Sequence, residues 1–285
     1  MSRSRRKVLE GAIRRLERAG IESARRNVEW MLCEVLHCTR ADLYAKFDEP
    51  LPTSQMSALG KMLSRREAHE PLQYILGYAE FFGLRIRVTP DVLIPRPETE
   101  QVVESALQEI RSHAAPRVLD VGTGSGCIAL AIKNTRPDAF VVGCDVSPAA
   151  IAIAEENATS LGLDVSFVQL DAFSPDFGAQ APAELDLIVS NPPYVSEAEA
   201  EDLPDEVSRY EPHIALFAPD DPLIFYEKIS ADARRLLRPG GRLVFETHAE
   251  FGSSAVGVVR EAGFDDVELR RDYAGHPRIL IAQRP

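Results

Sequence analysis

From Arg117 onward, short apolar runs alternate with amphipathic stretches, and this alternation restricts the possible folds more than any other feature of the chain. Strands are predicted at 117–121, 139–144, 164–169, 185–190, 241–246, 266–270 and 277–283. Helices are predicted between them at 126–135, 148–161, 222–237 and 250–262. Such alternation indicates a mainly parallel sheet that helices cover on both faces. The sequence therefore predicts an α/β fold for this part of the chain.

The preceding part of the chain has helical periodicity first and then a short β-pattern. Helices are predicted at 4–19, 23–37 and 53–69, so residues 1–75 are interpreted as a small helical domain, for which a substrate-docking role is suggested by its basic residues. Two short strands about Gly83 predict a hairpin, and residues 76–96 are interpreted as a connector. Residues 97–285 then form the main domain, with Pro97 placed to open a helix over 98–111.

Charge is distributed unevenly along the chain, whose net charge is −12. Residues 1–75 carry 14 Lys+Arg against 10 Asp+Glu, whereas residues 76–285 carry 18 against 34. A strongly acidic main domain argues against a large nucleic-acid footprint, so no stable nucleic-acid binding is expected. The basic residues near the start are either a docking face or a solvated helix surface. They are Arg3, Arg5, Arg6, Lys7, Arg14, Arg15 and Arg18.

Neither a membrane segment nor a metal site is predicted. The longest apolar runs are far shorter than the ~18 residues of a membrane helix, and no signal-peptide core follows the basic start. We therefore expect a cytoplasmic protein without a membrane partner. The four cysteines form no CxxC pair. Cys33, His37 and Cys38 lie inside a helical pattern and are interpreted as packing residues rather than metal ligands.

A glycine-rich turn follows the first strand of the main domain. Residues 122–126 read Gly122-Thr123-Gly124-Ser125-Gly126, directly between a predicted strand and a predicted helix. Glycines there let a ligand approach the backbone, and a helix N-terminus favours negative groups. The dinucleotide fingerprint requires a third glycine where this chain has Cys127. The turn alone is a weak signal for a nucleotide-containing cofactor.

Polar residues also follow each of the next three strands. Asp145 ends the second strand and is placed to accept hydrogen bonds from two ribose hydroxyls. Asp171-Ala172-Phe173 follows the third strand, where a carboxylate and an apolar face suit an adenine ring. Asn191 follows the fourth strand. Because the carboxyl ends of parallel strands share one edge of a sheet, we expect these residues to surround one ligand crevice.

The tetrapeptide Asn191-Pro192-Pro193-Tyr194 indicates a site for a flat NH₂ group. The lone pair of an amide or aromatic amine is delocalised, so the nitrogen attacks only when it is suitably held. The Asn191 side-chain carbonyl and the Pro192 backbone carbonyl are hydrogen-bond acceptors for its two N–H groups, and Tyr194 supplies a ring face. An ordinary proline turn after a strand would produce the same tetrapeptide.

These strand-end features together resemble the Rossmann-like, seven-stranded S-adenosylmethionine-dependent methyltransferases. Four further motifs narrow the resemblance to the HemK/PrmC family, the peptide chain release factor N5-glutamine methyltransferases. They are Tyr74-Ile75-Leu76-Gly77, Glu80-Phe81-Phe82-Gly83, Leu93-Ile94-Pro95-Arg96-Pro97-Glu98-Thr99-Glu100 and Tyr210-Glu211-Pro212-His213-Ile214-Ala215-Leu216. The similarity covers residues 70–285, and the helical start fits the family's N-terminal domain in size and type.

The resemblance implies a role for each strand-end residue. Gly122, Thr123, Gly124, Ser125, Gly126, Asp145, Asp171, Ala172, Phe173 and Asn191 would hold S-adenosyl-L-methionine. Asn191, Pro192, Pro193 and Tyr194 would hold a glutamine from the Gly-Gly-Gln loop of a class 1 release factor, with Asn191, Pro192 and Tyr194 acting in catalysis. Ala172 replaces the bulky aromatic residue that is common in the family, so adenine packing would fall to Phe173.

Several interpretations remain open from the sequence alone. Arg96 and Glu98 are either site residues or a charge pair at a helix start, and at least one of Phe81 and Phe82 is expected in the core. An adenine-N6 nucleic-acid methyltransferase would share the tetrapeptide and the cofactor loops but needs a basic recognition region. A ribosomal-protein glutamine methyltransferase would use the same chemistry, and a non-catalytic cofactor-binding module is a further alternative.

Overall fold

The computed structural model describes residues 4–196, 199–200, 203–218 and 221–285. The chain forms two compact units. Unit 1 comprises Met1–Gly77 and Pro204–Tyr210, and unit 2 comprises Tyr78–Leu203 and Glu211–Pro285. No helix in the described ranges combines the length and the apolar character that crossing a membrane requires.

Among its described residues, unit 1 consists of helices joined by turns, with one isolated β-bridge between Ser4 and Pro50. Its helices are α1 (Arg5–Arg18), α2 (Ala24–Leu36), α3 (Arg40–Ala45), α4 (Thr53–Glu67), α5 (Leu72–Leu76) and, in the second segment, α10 (Asp205–Ser208). Apolar residues at helical spacing, such as Leu9, Ile13 and Leu16 on α1, form its core. Cys33 and Cys38 pack against that core as predicted, whereas His37, which was also interpreted as a packing residue, is exposed and follows the last residue of α2. The helices α3 and α5 were not predicted, because five or six residues show too little periodicity.

A buried arginine joins the two segments of unit 1. Arg66, which is 7% exposed, donates to Asn27 Oδ1 at 2.8 Å and to the Glu70 carbonyl at 3.0 Å. Its remaining guanidinium nitrogen pairs with Glu206 in the second segment at 2.7 Å. The Tyr210 hydroxyl also donates to the Ala68 carbonyl at 2.6 Å. The stretch 204–210 is therefore fixed to α4 and the residues after it.

Unit 2 contains a seven-stranded sheet with the order β5-β4-β3-β6-β7-β9-β8. Its strands are β3 (Arg117–Val121), β4 (Phe140–Asp145), β5 (Ser166–Gln169), β6 (Leu185–Ser190), β7 (Leu237–Glu246), β8 (Asp265–Arg271) and β9 (Pro277–Gln283). Strands β3 to β7 pair in parallel, and β9 pairs antiparallel with both β7 and β8. The predicted Rossmann-like methyltransferase fold is confirmed. Strand order reverses between β3 and β6, which is where such sheets bind ligands.

Helices flank the sheet, most of them close to their predicted bounds. They are α6 (Pro97–Glu109), α7 (Cys127–Thr135), α8 (Pro148–Leu161), α9 (Phe177–Gln180), α11 (His213–Leu216), α12 (Ile224–Leu236) and α13 (Gly252–Glu261). Proline occupies the first turn of α6 and of α8, where its fixed φ suits a helix start. The four-residue helices α9 and α11 were not predicted.

A β-hairpin precedes the sheet and is fastened to the glycine-rich turn. Strands β1 (Tyr78–Phe81) and β2 (Leu84–Arg87) pair antiparallel, as predicted. Asn157 on α8, which is fully buried, accepts from the Arg87 N–H at 2.7 Å and donates to the Ser125 carbonyl at 2.9 Å. Phe81 is 1% exposed and is the predicted core residue of the phenylalanine pair.

Candidate active site

A cleft of about 350 Å³ lies in unit 2 at the carboxyl ends of β3, β4 and β6. Nine of the residues predicted for a ligand site line it, namely Gly122, Gly124, Asp145, Asp171, Ala172, Phe173, Asn191, Pro192 and Pro193. Four others, Thr123, Ser125, Gly126 and Tyr194, lie outside its lining. The sheet thus brings together residues that are up to 71 positions apart, between Gly122 and Pro193.

Alternate residues of the glycine-rich turn face the cleft. Gly122 and Gly124 have φ values of +72° and +54°, and a Cβ at either position would meet no atom within 4 Å. A Cβ at Gly126 would instead lie 3.0 Å from the Phe167 ring on β5 and 3.1 Å from Ala154 on α8, so this glycine allows close packing of the turn against both elements. Thr123 and Ser125 are buried. The two lining glycines therefore leave open backbone against which a ligand could lie.

Asp145 has the geometry of a ribose-binding carboxylate. Its Oδ2 accepts from the Gly124 N–H and its Oδ1 from the Ser147 N–H, both at 2.9 Å. Each oxygen keeps a second lone pair for a ligand hydroxyl. Burial raises the pKa of Asp145, while the hydrogen bonds from Ser147 and Gly124 oppose that rise. The backbone thus fixes the carboxylate in place before any ligand binds.

Asp120 is a buried carboxylate that the sequence analysis did not single out. Its Oδ2 accepts from Thr123 Oγ1 at 2.6 Å and from the Ala129 N–H at 3.2 Å, whereas its Oδ1 has no hydrogen-bond partner among the described residues. Burial raises the pKa of Asp120 to about 7, and the two hydrogen bonds counteract this only in part. Its position inside the apolar run Val118–Val121 could have indicated from the sequence that this carboxylate is buried.

The loop after β5 contributes both apolar and acidic lining. Asp171 Oδ1 accepts from the Phe173 N–H at 2.8 Å, which fixes the start of the loop. The Phe173 ring packs edge-on against Phe225 with centroids 4.8 Å apart, and both rings line the cleft together with Ala172. The lining on this side of the cleft is apolar and aromatic, so a flat apolar group would fit against it.

The charge of the lining distinguishes between possible ligands. Among the described residues that line the cleft, Asp91, Asp145 and Asp171 are carboxylates, and no lysine or arginine is present. A pyrophosphate group would have no compensating positive side chain there. S-adenosylmethionine fits better, because it carries a sulfonium and an ammonium group, an adenine and a ribose. The acidic lining of the cleft therefore suits this cofactor and not a dinucleotide.

The tetrapeptide begins at the cleft and ends in a buried polar cluster. Asn191 Nδ2 donates to Thr99 Oγ at 3.4 Å, and the Thr99 hydroxyl donates to Glu246 Oε2 at 2.6 Å. The Tyr194 hydroxyl donates to Glu246 Oε1 at 3.3 Å. The Tyr194 ring lies 5.6 Å from the His248 ring, between centroids. Both ends of the tetrapeptide are thus connected through Thr99 and Glu246.

Thr99 and Glu246 are site residues that the sequence analysis missed. Thr99 was part of a quoted motif, but its position in the first turn of a predicted helix gave it an ordinary structural explanation. Glu246 directly follows the apolar residues Leu243-Val244-Phe245, and a carboxylate at the end of a buried strand could have indicated a site residue. Both residues are almost completely buried. Burial raises the pKa of Glu246 and of the Tyr194 hydroxyl.

Two loops form the remaining walls of the cleft and are joined by a buried carboxylate. Both contribute to the lining, through residues 91–93 on one side and Ile214, Ala215 and Phe217 on the other. Glu211 accepts from the Ile94 N–H at 3.1 Å and from Arg96 Nη2 at 2.6 Å. Arg96 therefore pairs with Glu211, and neither Arg96 nor Phe81 lines the cleft. Glu98, the suggested helix-start partner of Arg96, is exposed.

The sheet order and the acidic cleft at its switch point define an S-adenosylmethionine-dependent methyltransferase. Solved structures agree with this fold. A methyltransferase from Pyrococcus furiosus aligns with a TM-score of 0.51 at 16% identity, over 82% of this chain and 99% of that one. The Thermus thermophilus 16S rRNA N2 G1207 methyltransferase, solved with AdoMet and guanosine, aligns with a TM-score of 0.53 at 19% identity, over 73% and 50%.

Sequence relatives identify the particular family. Residues 7–77 match the PrmC N-terminal domain, and residues 112–267 match a methyltransferase domain. The release factor glutamine methyltransferase of Bacteroides thetaiotaomicron is 43% identical over 88% of this chain and 90% of its own length. That of Geobacter sulfurreducens is 43% identical over 96% and 95%. The chain belongs to the release factor glutamine methyltransferase family.

Proposed function

We propose that this enzyme transfers a methyl group from S-adenosylmethionine to the side-chain amide nitrogen, N5, of a glutamine. The substrate is the glutamine of the Gly-Gly-Gln loop in class 1 peptide chain release factors. The observation that carries this proposal is the tetrapeptide Asn191–Tyr194, which follows β6 and contributes three residues to the lining of an acidic cleft. The names of the relatives support a release factor as substrate. Release factors act in translation, so we propose a cytoplasmic enzyme.

The cofactor residues follow from the same cleft. Asp145 would bind the ribose hydroxyls, and Asp171, Ala172 and Phe173 would bind the adenine. The turn Gly122–Gly126 would lie beside the amino-acid part of the cofactor, with Gly122 and Gly124 in contact and Thr123, Ser125 and Gly126 shaping the turn from inside. When bound, S-adenosylmethionine supplies an electrophilic methyl group on a positively charged sulfur.

The tetrapeptide would hold and orient the substrate amide. The Asn191 side-chain carbonyl and the Pro192 backbone carbonyl accept its two N–H groups, which turns the nitrogen lone pair toward the cleft. Pro193 and the Tyr194 ring border the flat amide. Positive charge grows on the nitrogen during attack, so both hydrogen bonds strengthen in the transition state. The nitrogen becomes acidic only after alkylation, and its proton then leaves without a dedicated base.

Nucleic acid is the less favoured acceptor. The main domain is strongly acidic, and three carboxylates line the cleft without a basic side chain among its described residues. Phosphate groups near this opening would be repelled. A protein loop without phosphates meets no such repulsion, and a glycine-rich loop has little bulk beside its glutamine.

The test is methyl transfer to three acceptor classes measured in parallel. Purified class 1 release factors, ribosomal proteins and DNA are each incubated with the enzyme and labelled S-adenosylmethionine. We expect label on the release factor alone, and peptide mass mapping should place one methyl group on the Gly-Gly-Gln glutamine. A release factor with this glutamine changed to alanine is the matched control. Label on DNA, or on ribosomal proteins only, would contradict the proposal.

A further inference from the structure

The contacts around Glu246 form a hydrogen-bonded network that has a single direction as long as Glu246 is ionised. An ionised carboxylate only accepts hydrogen bonds, and Glu246 receives one on each oxygen, from Thr99 at 2.6 Å and from Tyr194 at 3.3 Å. A threonine hydroxyl has a single hydrogen. Since Thr99 gives that hydrogen to Glu246, its oxygen is left only as an acceptor.

The direction of this chain determines how the Asn191 amide is turned. Thr99 Oγ can accept only from the NH₂ side of Asn191, and the structure has Asn191 Nδ2 there at 3.4 Å. The carbonyl oxygen of Asn191 is then directed away from Thr99. Asn191 lines the cleft, whereas Thr99 and Glu246 are buried behind it. Reversing the Thr99 hydroxyl would favour the opposite amide orientation and present a donor to the substrate.

We propose that Thr99 and Glu246 are positioning residues that fix the amide orientation of Asn191, so that its carbonyl oxygen faces the substrate glutamine. The inference rests on the proposed function, because an acceptor is needed only if the substrate presents an N–H group. Thr99 and Glu246 act through Asn191 and do not touch the substrate. Glu246 also holds the Tyr194 hydroxyl, so one buried carboxylate orients both ends of the tetrapeptide.

The surroundings of Glu246 make the arrangement sensitive to pH. Burial raises the pKa of Glu246, and the nearby charge of Glu98 on α6 adds to the rise. Thr99, the charge of Arg278 on β9 and the Tyr194 hydroxyl oppose it. Among the described residues, Tyr226 on α12 and Cys127 on α7 are further titratable groups that interact with this carboxylate. Protonated Glu246 would become a donor on one oxygen, so acid should reduce the rate of methyl transfer.

The decisive experiment compares three variants in methylation of a purified release factor. Thr99→Val removes the hydroxyl at nearly constant volume, and we expect the turnover number to fall about 10-fold. Glu246→Gln introduces a hydrogen-bond donor where the ionised carboxylate only accepts, and we expect the turnover number to fall roughly 10²-fold. Thr99→Ser keeps the hydroxyl and should retain the wild-type rate within about threefold. Calorimetry should show S-adenosylmethionine affinity within about threefold of wild type for all three.

The pH profile and a matched control separate positioning from a merely structural role. The acid limb of the wild-type rate should be absent in Glu246→Gln. Asp186→Asn removes another buried carboxylate, at the amino end of the β6 strand that leads to Asn191, and should leave the turnover number unchanged even if stability falls. Equal losses in Thr99→Ser and Thr99→Val, or an unchanged acid limb in Glu246→Gln, would overturn the inference.

The same assay distinguishes this inference from the proposed function. A wild-type enzyme that leaves the release factor unmethylated would overturn the proposed function and the inference with it. An active wild type beside a fully active Thr99→Val would overturn the inference alone.

Discussion

Two aspartates next to the glycine-rich turn illustrate how hydrogen bonding divides structural from binding carboxylates. Asp145 lines the cleft, and both of its oxygens are held by backbone N–H groups. Asp120 lies behind the turn, and one of its oxygens has no partner in the structure. The half-buried carboxylate of Asp145, which backbone N–H groups hold in place, is suited to bind ligand hydroxyls, whereas the buried Asp120 makes the stability of the turn dependent on pH.

Asp145→Ala should weaken S-adenosylmethionine binding by roughly 1–3 kcal/mol, because the ribose hydroxyls would lose their charged acceptor. Isothermal titration calorimetry measures the change directly. Asp164→Ala is the matched control, since Asp164 is an exposed aspartate outside the cleft lining. Equal affinities for Asp145→Ala and the wild type would refute the ribose assignment.

Asn191→Ala should reduce the single-turnover rate of release-factor methylation by roughly 10²-fold, because a preorganised acceptor of the transition state is removed. Some loss of cofactor affinity is also expected, since Asn191 lines the same cleft. Asn191→Asp is the sharper variant, because it keeps a hydrogen-bond acceptor, adds a negative charge and loses the N–H donor to Thr99. Retained activity in Asn191→Asp would show that acceptance is what matters, and a near-wild-type rate for Asn191→Ala would place the amide-holding group elsewhere.

Asp120→Asn should change how stability depends on pH. Burial raises the pKa of Asp120 to about 7 from an unfolded value of 3.8, so the folded state retains a proton that the unfolded state releases. The contribution of this proton is complete below pH 3.8 and is lost as pH rises toward 7. Urea unfolding without cofactor should therefore show that the free energy of unfolding of the variant, relative to that of the wild type, is higher at pH 8 than at pH 5. If variant and wild type differed in unfolding free energy by the same amount at both pH values, the raised pKa of Asp120 would be contradicted.

At the scale of elements, the sequence predicted the regular parts of unit 2 and not the short ones. The apolar runs of β3 and β6 were placed at their observed bounds, because strands buried on both faces of a parallel sheet are continuously apolar. Strand β7 begins at Leu237 and not at the predicted 241, since Pro239 and two glycines obscure its first residues. The candidate site residues could be grouped from the sequence because parallel strands have their carboxyl ends at the same edge of the sheet.

The parts of the site that the sequence did not reveal depend on contacts between distant residues. Thr99 and Asn191 are 92 positions apart and meet only because α6 packs beside β6. Nothing in the local sequence indicates that Thr99 donates to Glu246 rather than capping its own helix. The same holds for Glu211, whose contact with Ile94 spans 117 positions. Buried polar pairs of this kind are defined by tertiary packing and not by periodicity.

Packing between β4 and its neighbours gives an element-scale prediction about two glycines. A Cβ at Gly143 would lie 2.6 Å from the Phe167 ring and 2.7 Å from Thr123 Oγ, so Gly143→Ala should destabilise the protein by roughly 1–3 kcal/mol. A Cβ at Gly257, inside α13, would meet no atom within 4 Å. Gly257→Ala should stabilise the protein by about 0.5–1 kcal/mol through helix propensity. Urea unfolding that shows the same sign for both variants would contradict this packing.

At the scale of the whole molecule, charge is separated between the helical unit and the methyltransferase unit. Several of the basic residues predicted to form a docking face are already paired within unit 1. Arg5 pairs with Glu49, Arg6 with Asp48 and Arg15 with Glu67. Arg3 lies outside the described residues. Lys7, Arg14 and Arg18 are exposed, and within the described part of the chain they form no ion pair.

The three unpaired residues Lys7, Arg14 and Arg18 lie on one face of α1, because seven and eleven residues are close to two and three helical turns. Arg14 and Arg18 also border a groove on unit 1. We propose that this face steers an acidic surface of the protein substrate toward the enzyme. Steering of this kind acts on the association rate and weakens with salt.

Reversing these charges is a better test than deleting the helical unit. Deletion of residues 1–70 would strip Glu206 and Tyr210 of their partners Arg66 and Ala68, and so would disturb the second segment of unit 1 as well as docking. The combined variant Lys7→Glu, Arg14→Glu and Arg18→Glu leaves those contacts intact.

We expect kcat/KM for the intact release factor to fall roughly 10-fold at low salt, with kcat and cofactor affinity unchanged. Because only steering is removed, the difference from wild type should vanish as ionic strength rises. Reversal of the exposed Arg260 on α13 is the control and should have no such effect. A triple variant with wild-type kcat/KM at low salt would show that the substrate docks elsewhere.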